Sequence, residues 1–229
     1  MKTFAIILSA GNSTRFGGTT KKQFYLLKGK PVLYYSLKSF NDAKAIDEIV
    51  LVSAKEDIEK VKQFVLDNNF DKVKLVVSGG DTRQQSVKNG LDAIKETNGI
   101  VLIHDAARPL VDEEIINNLI KALVNADGAT PALKVFDTIV RANNNELISY
   151  ENRDELYRIQ TPQAFKLDVI KLAHETFLGE NATDDSHLVK QLHKKVVIIN
   201  GKEKLRKITK LEDTNALEAY IEKNEQLQN

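Results

Sequence analysis

The expected fold is α/β: one doubly wound, mostly parallel sheet with a protruding β-hairpin arm. Three observations carry that expectation. Short β-branched runs alternate with amphipathic helical stretches along most of the chain, the rhythm of a parallel sheet. Two runs, Ile100-Val101-Leu102-Ile103 and Val196-Val197-Ile198-Ile199, are continuously apolar, which suits strands covered on both faces. One stretch, 134–158, breaks the rhythm and alternates around Asn143-Asn144-Asn145, which reads as a hairpin with a polar turn.

The first strand is expected over Phe4–Ser9. Residues 4–10 are apolar, but Gly11 and Asn12-Ser13-Thr14-Arg15 stop the run. So short a run cannot cross a bilayer, and Lys2 alone is a poor start for a signal peptide; neither insertion nor export is expected. A helix over 31–41 precedes the strand Glu48–Ser53, and a helix over 55–68 precedes Lys74–Ser78. A helix over 82–97 then leads to the strand Ile100–His104. In the next helix, 112–126, Ile115, Ile116, Leu119, Ile120, Leu123 and Val124 share one face. Asp112-Glu113-Glu114 at its start supplies a cap and charges that suit the helix dipole. The strand Ala129–Leu133, the arm, helices over 166–178 and 185–193, the strand Val196–Asn200 and a helix over 212–224 complete the chain. With 4 prolines and no low-complexity tract, residues 1–229 are expected to form one domain that includes the arm.

Composition narrows the chemistry. The 33 basic and 32 acidic residues leave a net charge of +1, which offers no bulk attraction to nucleic acid or an anionic membrane. A 42% hydrophobic content suits a globule with a core. Cysteine is absent, so disulfides, thiolate nucleophiles and Cys-ligated metals are excluded, and a cytoplasmic setting is expected. The four histidines show no H-E-x-x-H spacing, so a zinc site is not expected, and His104 reads as a packed strand-end residue.

Ligands of open parallel sheets sit beyond the carboxyl ends of the strands, so the residues there matter most. The first strand ends in Leu8-Ser9-Ala10-Gly11-Asn12-Ser13-Thr14-Arg15-Phe16-Gly17-Gly18, followed by Lys21-Lys22-Gln23-Phe24. Small residues let the backbone approach a ligand, and its N–H groups can cradle phosphate. This is neither G-x-G-x-x-G nor a P-loop. Gly11 alone would be an ordinary tight turn. The whole string points to an anion, because Arg15 can fork onto phosphate oxygens and Lys22 can set a point charge beside them. The third strand ends in Ser78-Gly79-Gly80-Asp81-Thr82-Arg83-Gln84-Gln85-Ser86. Asp81 or Thr82 can cap the following helix; Gly79 and Gly80 could flank a flat base, and Ser86 could hydrogen-bond it. The fourth strand runs into His104-Asp105-Ala106-Ala107-Arg108-Pro109, where Asp105 is a natural hard-cation ligand and Arg108 could bind a second anion. Asp184-Asp185 reads as the charge pair of a helix N-terminus, and Thr161-Pro162 as a turn.

Taken in order, A-G-x-x-T-R-F, K-K-Q-F, G-G-x-x-R-x-x-S-V, H-D-A-A-R-P, D-T, Q-T-P-Q and T-D-D-S, with Lys207-Ile208-Thr209 and Asp213, span most of the chain. They resemble the cytidylyltransferase family of isoprenoid precursor synthesis, whose members join CMP to 2-C-methyl-D-erythritol 4-phosphate. The resemblance implies a Rossmann-like nucleotidyltransferase sheet. It also implies a triphosphate site at Ala10, Gly11, Arg15 and Lys22, and a cytosine and ribose site at Gly79, Gly80, Asp81 and Ser86. Asp105 would hold Mg²⁺ or another divalent cation, and Lys207 would join Arg15 and Lys22 as the catalytic cations. Arg108, Thr138 and Arg153 would hold the sugar-alcohol phosphate. In the family the arm reaches a partner subunit, so a homodimer with shared sites is implied. The chain departs from the family at Lys204-Leu205-Arg206, where Asp-Asn-Ile is usual. Two other readings stay open: a ribitol-5-phosphate cytidylyltransferase, against which Ala107 weighs, and a non-catalytic nucleotide-binding regulator, against which Arg15, Lys22 and Asp105 together weigh.

Overall fold

The computed structural model describes residues 1–14, 16–17, 20–180 and 182–226, without the side chains of 224–226. Its major strands are β1 (Thr3–Ser9), β4 (Glu48–Ser53), β5 (Val73–Ser78), β6 (Ile100–Asp105), β7 (Gly128–Lys134), β10 (Tyr157–Ile159), β11 (Gln163–Lys166) and β12 (Val196–Asn200). A small hairpin of β2 (Leu26–Leu27) and β3 (Lys30–Pro31) follows the first loop, and β8 (Val140–Asn143) with β9 (Glu146–Tyr150) forms the arm. The helices are α1 (Val32–Asp42), α2 (Ile58–Asp67), α3 (Arg83–Ala93), α4 (Glu113–Ala122), α5 (Leu167–Thr176), α6 (Asp185–Gln191) and α7 (Asp213–Gln226).

The main sheet runs β10-β7-β11-β6-β1-β4-β5, with β12 also on β7. β1 sits centrally and pairs in parallel with β4 and β6. Its register sets Ser9 beside Ser53 and Leu8 beside Asp105, and β4 sets Ser53 beside Ser78. Four strand ends therefore finish together, where the strand order reverses, and a ligand crevice is expected at that edge. Side chains alternate along β1. Ala5 and Ile7 join Leu33, Leu37, Leu51, Ile116 and Leu119 on one face; Phe4 and Ile6 join Val52, Val87, Leu91, Ile103 and Ile170 on the other. Helices thus cover both faces, which is why β1, β4 and β6 are continuously apolar in sequence. Gly90 lets α3 approach the sheet closely, since a Cβ there would meet Ile6 Cγ2 at 2.8 Å.

The predicted elements agree with the observed ones to within a few residues at most ends, with three differences. Sequence periodicity did not reveal the small β2–β3 hairpin, nor β10 and β11, short strands antiparallel to β7 and, for β11, to β6 as well. The arm is shorter than 134–158: Lys134 ends β7, and Tyr157 and Arg158 return to the sheet by pairing with Lys134 and Leu133. The run Val196–Ile199 is not covered on both faces. It pairs with β7 and leaves Ile198 half exposed. The arm's turn is as expected, with Asn144 and Asn145 in the left-handed region (φ 48° and 65°) that a tight hairpin turn needs. Among the described residues no helix is long and apolar enough to cross a membrane.

Asp112 caps α4, its Oδ1 accepting from Ile115 N at 3.3 Å, while its Oδ2 meets Lys202 and Lys204 at 2.9 and 2.6 Å. Burial pushes this carboxyl up, but the hydrogen bonds from Lys204 and Lys202 outweigh it, so it titrates below the ordinary range. A depressed carboxyl stabilises the fold above its unfolded pKa, about 3.9, and loses that contribution as pH falls through the folded value. Asp112→Ala should therefore cost about 1 kcal/mol at pH 7, the usual worth of a cap. Urea unfolding should show that gap closing in acid; an equal gap at both pH values would mean that the carboxylate's charge is irrelevant.

Candidate active site

A cavity of about 640 Å³ opens where β1, β4, β5 and β6 end. Ala10 and Gly11 line one wall and Gly79, Gly80, Asp81 and Ser86 another; Lys22, Asp105 and Lys207 also line it. Every described residue expected at the nucleotide, the catalytic cations and the metal thus borders one space. Arg15 lies outside the described residues.

The first loop is shaped by Gln23, which is 3% exposed. Its Nε2 donates to Ser9 O (3.1 Å) and Gly11 O (3.4 Å), and its Oε1 accepts from Ser13 Oγ at 3.2 Å. Ser13 Oγ in turn accepts from Lys22 N at 3.0 Å. Lys22 Nζ donates to Ile208 O at 3.2 Å, so the basic loop meets the loop that carries Lys207. Beneath them Phe16, Ile208, Leu217 and Ile221 form a small core, and Ile208 N donates to Ala107 O at 2.8 Å. Asp213 draws the same loop in, accepting from Thr209 N and Lys210 N at 2.8 and 2.9 Å.

On the opposite wall Thr82, not Asp81, caps α3, accepting from Gln85 N at 3.1 Å. Ser86 Oγ accepts from Gly80 N at 3.1 Å and donates to Thr82 O at 3.0 Å, which holds the Gly-Gly turn against the helix. A Cβ on Gly79 would come within 2.5 Å of Ala10 Cβ and 2.9 Å of Ser86 Oγ. The two walls therefore touch at Gly79, and no larger residue would leave this narrow end intact.

Asp105 forms the floor. Lys207 Nζ lies 2.6 Å from its Oδ2 and Arg83 Nε 3.3 Å from its Oδ1. Burial opposes the charge, but Arg83 and Lys207 hold this carboxyl far below the usual range. Its backbone N–H donates to Thr161 Oγ1 (3.1 Å), whose hydroxyl meets His104 Nδ1 at 3.1 Å, while His104 Nε2 meets Arg108 O at 3.0 Å. A neutral imidazole completes that chain by accepting at Nδ1 and donating at Nε2. Burial does keep His104 neutral, pushing its pKa down to about 3. His104 is thus a brace for the Asp105–Arg108 turn and not a base, as its position suggested.

A single carboxylate suits a hard cation that arrives with phosphate oxygens and keeps its waters. Among the described residues no three His, Asp or Glu cluster as a dedicated metal cage. The donor set fits Mg²⁺ bound jointly by Asp105 and a triphosphate, and does not fit zinc.

The expected acceptor residues Arg108, Thr138 and Arg153 are not gathered in one place. Arg108 lines a neighbouring cavity of about 210 Å³ with Arg158, Arg206 and Lys207, and its Nη1 donates to Leu205 O at 2.7 Å. Thr138 and Arg153 are exposed on the arm, where Arg153 Nη1 donates to Phe136 O at 3.0 Å. The departing triplet has a structural use: Lys204 pairs with Asp112, Leu205 is fully buried, and Arg206 borders the smaller cavity.

Sequence reasoning gave no site role to Arg83, Gln160 or Gln163, and read Thr161 only as part of a turn and Asp185 only as part of a helix-start charge pair. Gln160 exchanges hydrogen bonds with the Lys202 backbone, and Gln163 Nε2 donates to Thr130 Oγ1 and Asp184 Oδ2. The Q-T-P-Q string therefore pins the loops around the floor. Of the expected charge pair at a helix start, Asp184 caps the helix, but Asp185 is buried beneath the site with His174 and Arg83.

A doubly wound sheet with a basic, small-residue first loop, a Gly-Gly wall and a lone aspartate at the crossover defines a nucleotidyltransferase. A sequence profile of the 2-C-methyl-D-erythritol 4-phosphate cytidylyltransferase family matches residues 3–223, and the chain belongs to that family. It is 41% identical over 224 residues to the enzyme of that name from Clostridium acetobutylicum, covering 96% of this chain and 97% of that protein. It is 40% identical over 227 residues to the one from Caldanaerobacter subterraneus subsp. tengcongensis, covering 97% of this chain and all of that protein. Among solved structures, 4-diphosphocytidyl-2C-methyl-D-erythritol synthase from Anaerococcus prevotii superposes with a TM-score of 0.83 at 31% identity, covering 96% of each chain. A bifunctional enzyme from Campylobacter jejuni superposes at 0.81 with 34% identity; it matches 95% of this chain, which spans 54% of that longer one. The family is one of cytidylyltransferases, so the chain is an enzyme, and the names of these relatives favour the methylerythritol acceptor over ribitol phosphate.

Proposed function

We propose that this enzyme transfers the cytidylyl group of CTP to 2-C-methyl-D-erythritol 4-phosphate, giving 4-diphosphocytidyl-2-C-methyl-D-erythritol and pyrophosphate. The observation that carries the reading is the meeting of Lys22, Lys207 and Asp105 in one cavity whose far wall is the Gly79-Gly80 turn. A phosphate monoester has a second pKa of about 6, so the acceptor is largely a dianion at neutral pH and needs no general base. One acceptor oxygen attacks the α-phosphorus, the bond from the α-phosphorus to the bridging oxygen breaks, and that oxygen leaves with pyrophosphate. The difficulty is electrostatic, because two anions must meet. Ala10 and Gly11 would offer backbone to the triphosphate, and Arg15, Lys22 and Lys207 would neutralise its charge. Asp105 would hold Mg²⁺, which supplies Lewis-acid charge at phosphate oxygens when bound. Gly79, Gly80, Asp81 and Ser86 would receive cytosine and ribose. Arg108 would orient the acceptor for in-line attack. A cytoplasmic setting fits the absence of cysteine.

The test is pyrophosphate release with CTP or ATP and with methylerythritol phosphate or ribitol 5-phosphate. Release should need CTP and be fastest with the methylerythritol acceptor. Equal rates with ATP would count against the Gly79-Gly80 wall as a pyrimidine reader, and faster release with ribitol 5-phosphate would reassign the acceptor.

Thr138 and Arg153 would act on a second subunit. The arm exposes Phe136, Ile148 and Tyr150, and an isolated hairpin is at best marginally stable in water. A two-fold dimer through the arm would cover these side chains and carry Arg153 and Thr138 to the partner's acceptor phosphate. Mixing Arg153→Ala with Lys22→Ala chains should then restore part of the activity, since one site of each mixed dimer has both residues. No recovery despite demonstrated subunit exchange would show that each chain builds its own site.

A further inference from the structure

Asp185 sits outside the lining of the cavity and is 1% exposed, yet it reaches the floor through one intermediary. Its Oδ2 lies 2.8 Å from Arg83 Nη2, and its Oδ1 lies 3.0 Å from Nε2 of His174, itself 1% exposed. The same guanidinium presents Nε to Asp105 Oδ1 at 3.3 Å. Arg83 therefore spans two carboxylates. Asp105 and Asp185 set two negative charges against the positive charges of Arg83 and Lys207, and Arg108 adds a further cation near Asp105. Burial disfavours ionised Asp185, but Arg83 and then His174 hold its carboxyl below the ordinary range.

A guanidinium left with a single carboxylate closes on it with two parallel N–H bonds. Here Nη2 is turned toward Asp185, so Arg83 meets Asp105 through Nε at one oxygen. The other oxygen of Asp105 is left to Lys207. We propose that Asp185, acting through Arg83, is a positioning residue that confines Arg83 to one oxygen of Asp105, so that the other, paired with Lys207, can be shared with a substrate-borne divalent cation. This rests on the reading of Asp105 as the cation ligand. Without the Asp185 charge the guanidinium is free to turn, clamp both oxygens of Asp105 and compete with the cation. Outer partners of metal ligands commonly tune affinity by 10- to 100-fold.

The test is calorimetric titration of CTP into the full-length protein, wild type and Asp185→Asn, without metal and over a series of Mg²⁺ concentrations. In the wild type Mg²⁺ should tighten CTP binding. In Asp185→Asn the metal-free CTP affinity should stay at the wild-type value, while the Mg²⁺ concentration giving half of the tightening rises by about 10-fold or more. Asp185→Glu, which keeps the charge, should recover part of the shift. If Asp185→Asn lacks a cooperative melting transition, Asp185→Ser, which removes the same charge and leaves the Arg83 guanidinium in place, carries the test with the same Mg²⁺ shift expected. An unchanged Mg²⁺ midpoint in a folded variant overturns the proposal, as does a parallel fall in metal-free affinity, which would make Asp185 a general support of the cavity. A wild type whose CTP binding ignores Mg²⁺ overturns the cation reading of Asp105 and this inference with it.

Discussion

Asp105→Asn should lower turnover by about 1,000-fold, a loss expected when a preorganised charge at a phosphoryl site is removed. The substitution keeps the shape of the side chain and leaves the backbone bond from Asp105 N to Thr161 in place. What it removes is the anion between Arg83 and Lys207. Two cations then face the cavity with less to oppose them, so metal-free binding of the triphosphate should tighten while catalysis collapses. A residue that merely shaped the loop would lose affinity and turnover together. The variant should also be less stable, because removing one partner of a buried charge cluster leaves the others uncompensated. Rates are therefore to be taken per folded molecule, with the folded fraction read by circular dichroism. Turnover within about 10-fold of wild type in folded protein, far short of the loss expected for such a group, would remove Asp105 from the mechanism.

Lys22→Ala should cost at least about 100-fold in turnover with little change in stability. The Nζ bond to Ile208 O joins two loops that are also tied by the Ile208 N to Ala107 O bond and by the buried Phe16 and Ile208. The fold therefore survives the loss of one ammonium. The chemistry does not, because charge grows on the leaving pyrophosphate as its bond to the α-phosphorus lengthens, and only groups that meet that charge lower the barrier. The loss should fall on kcat more than on KM. Near-normal turnover in a folded variant would leave Lys22 an ordinary loop residue.

Much of this was legible in the sequence because strands covered on both faces and helices with one apolar stripe leave different periods. The alternation of strands and helices followed from those periods, and the ends of the strands marked the three strings to be read for chemistry. Where the signal was local, the reading was sound: Asp112 does cap a helix, Asp184 does stand at a helix start, and Asn144-Asn145 does make the arm's turn. What escaped depends on contacts between residues far apart in the chain. The strands β10 and β11 are too short to show a period. Asp185 looks like a surface charge at a helix start, and only the approach of α3 to α6 reveals that it is buried against Arg83. The Q-T-P-Q string looked like a turn because nothing in it announces that Thr161 would bind His104 and the Asp105 backbone. Thr138 and Arg153 are exposed on the arm and line neither cavity, so the role expected of them rests on the resemblance and not on any local pattern.

The most direct test of cytidylyl transfer follows the acceptor's own oxygens. Methylerythritol phosphate labelled with ¹⁸O at its nonbridging phosphate positions is turned over with unlabelled CTP, and the products are read by phosphorus NMR and mass spectrometry. Attack by an acceptor oxygen on the α-phosphorus predicts ¹⁸O in the bridge of the cytidine diphosphate ester and pyrophosphate free of label. An unlabelled bridge, or label in the pyrophosphate, would mean that the acceptor phosphate is not the nucleophile and would contradict the mechanism at its centre.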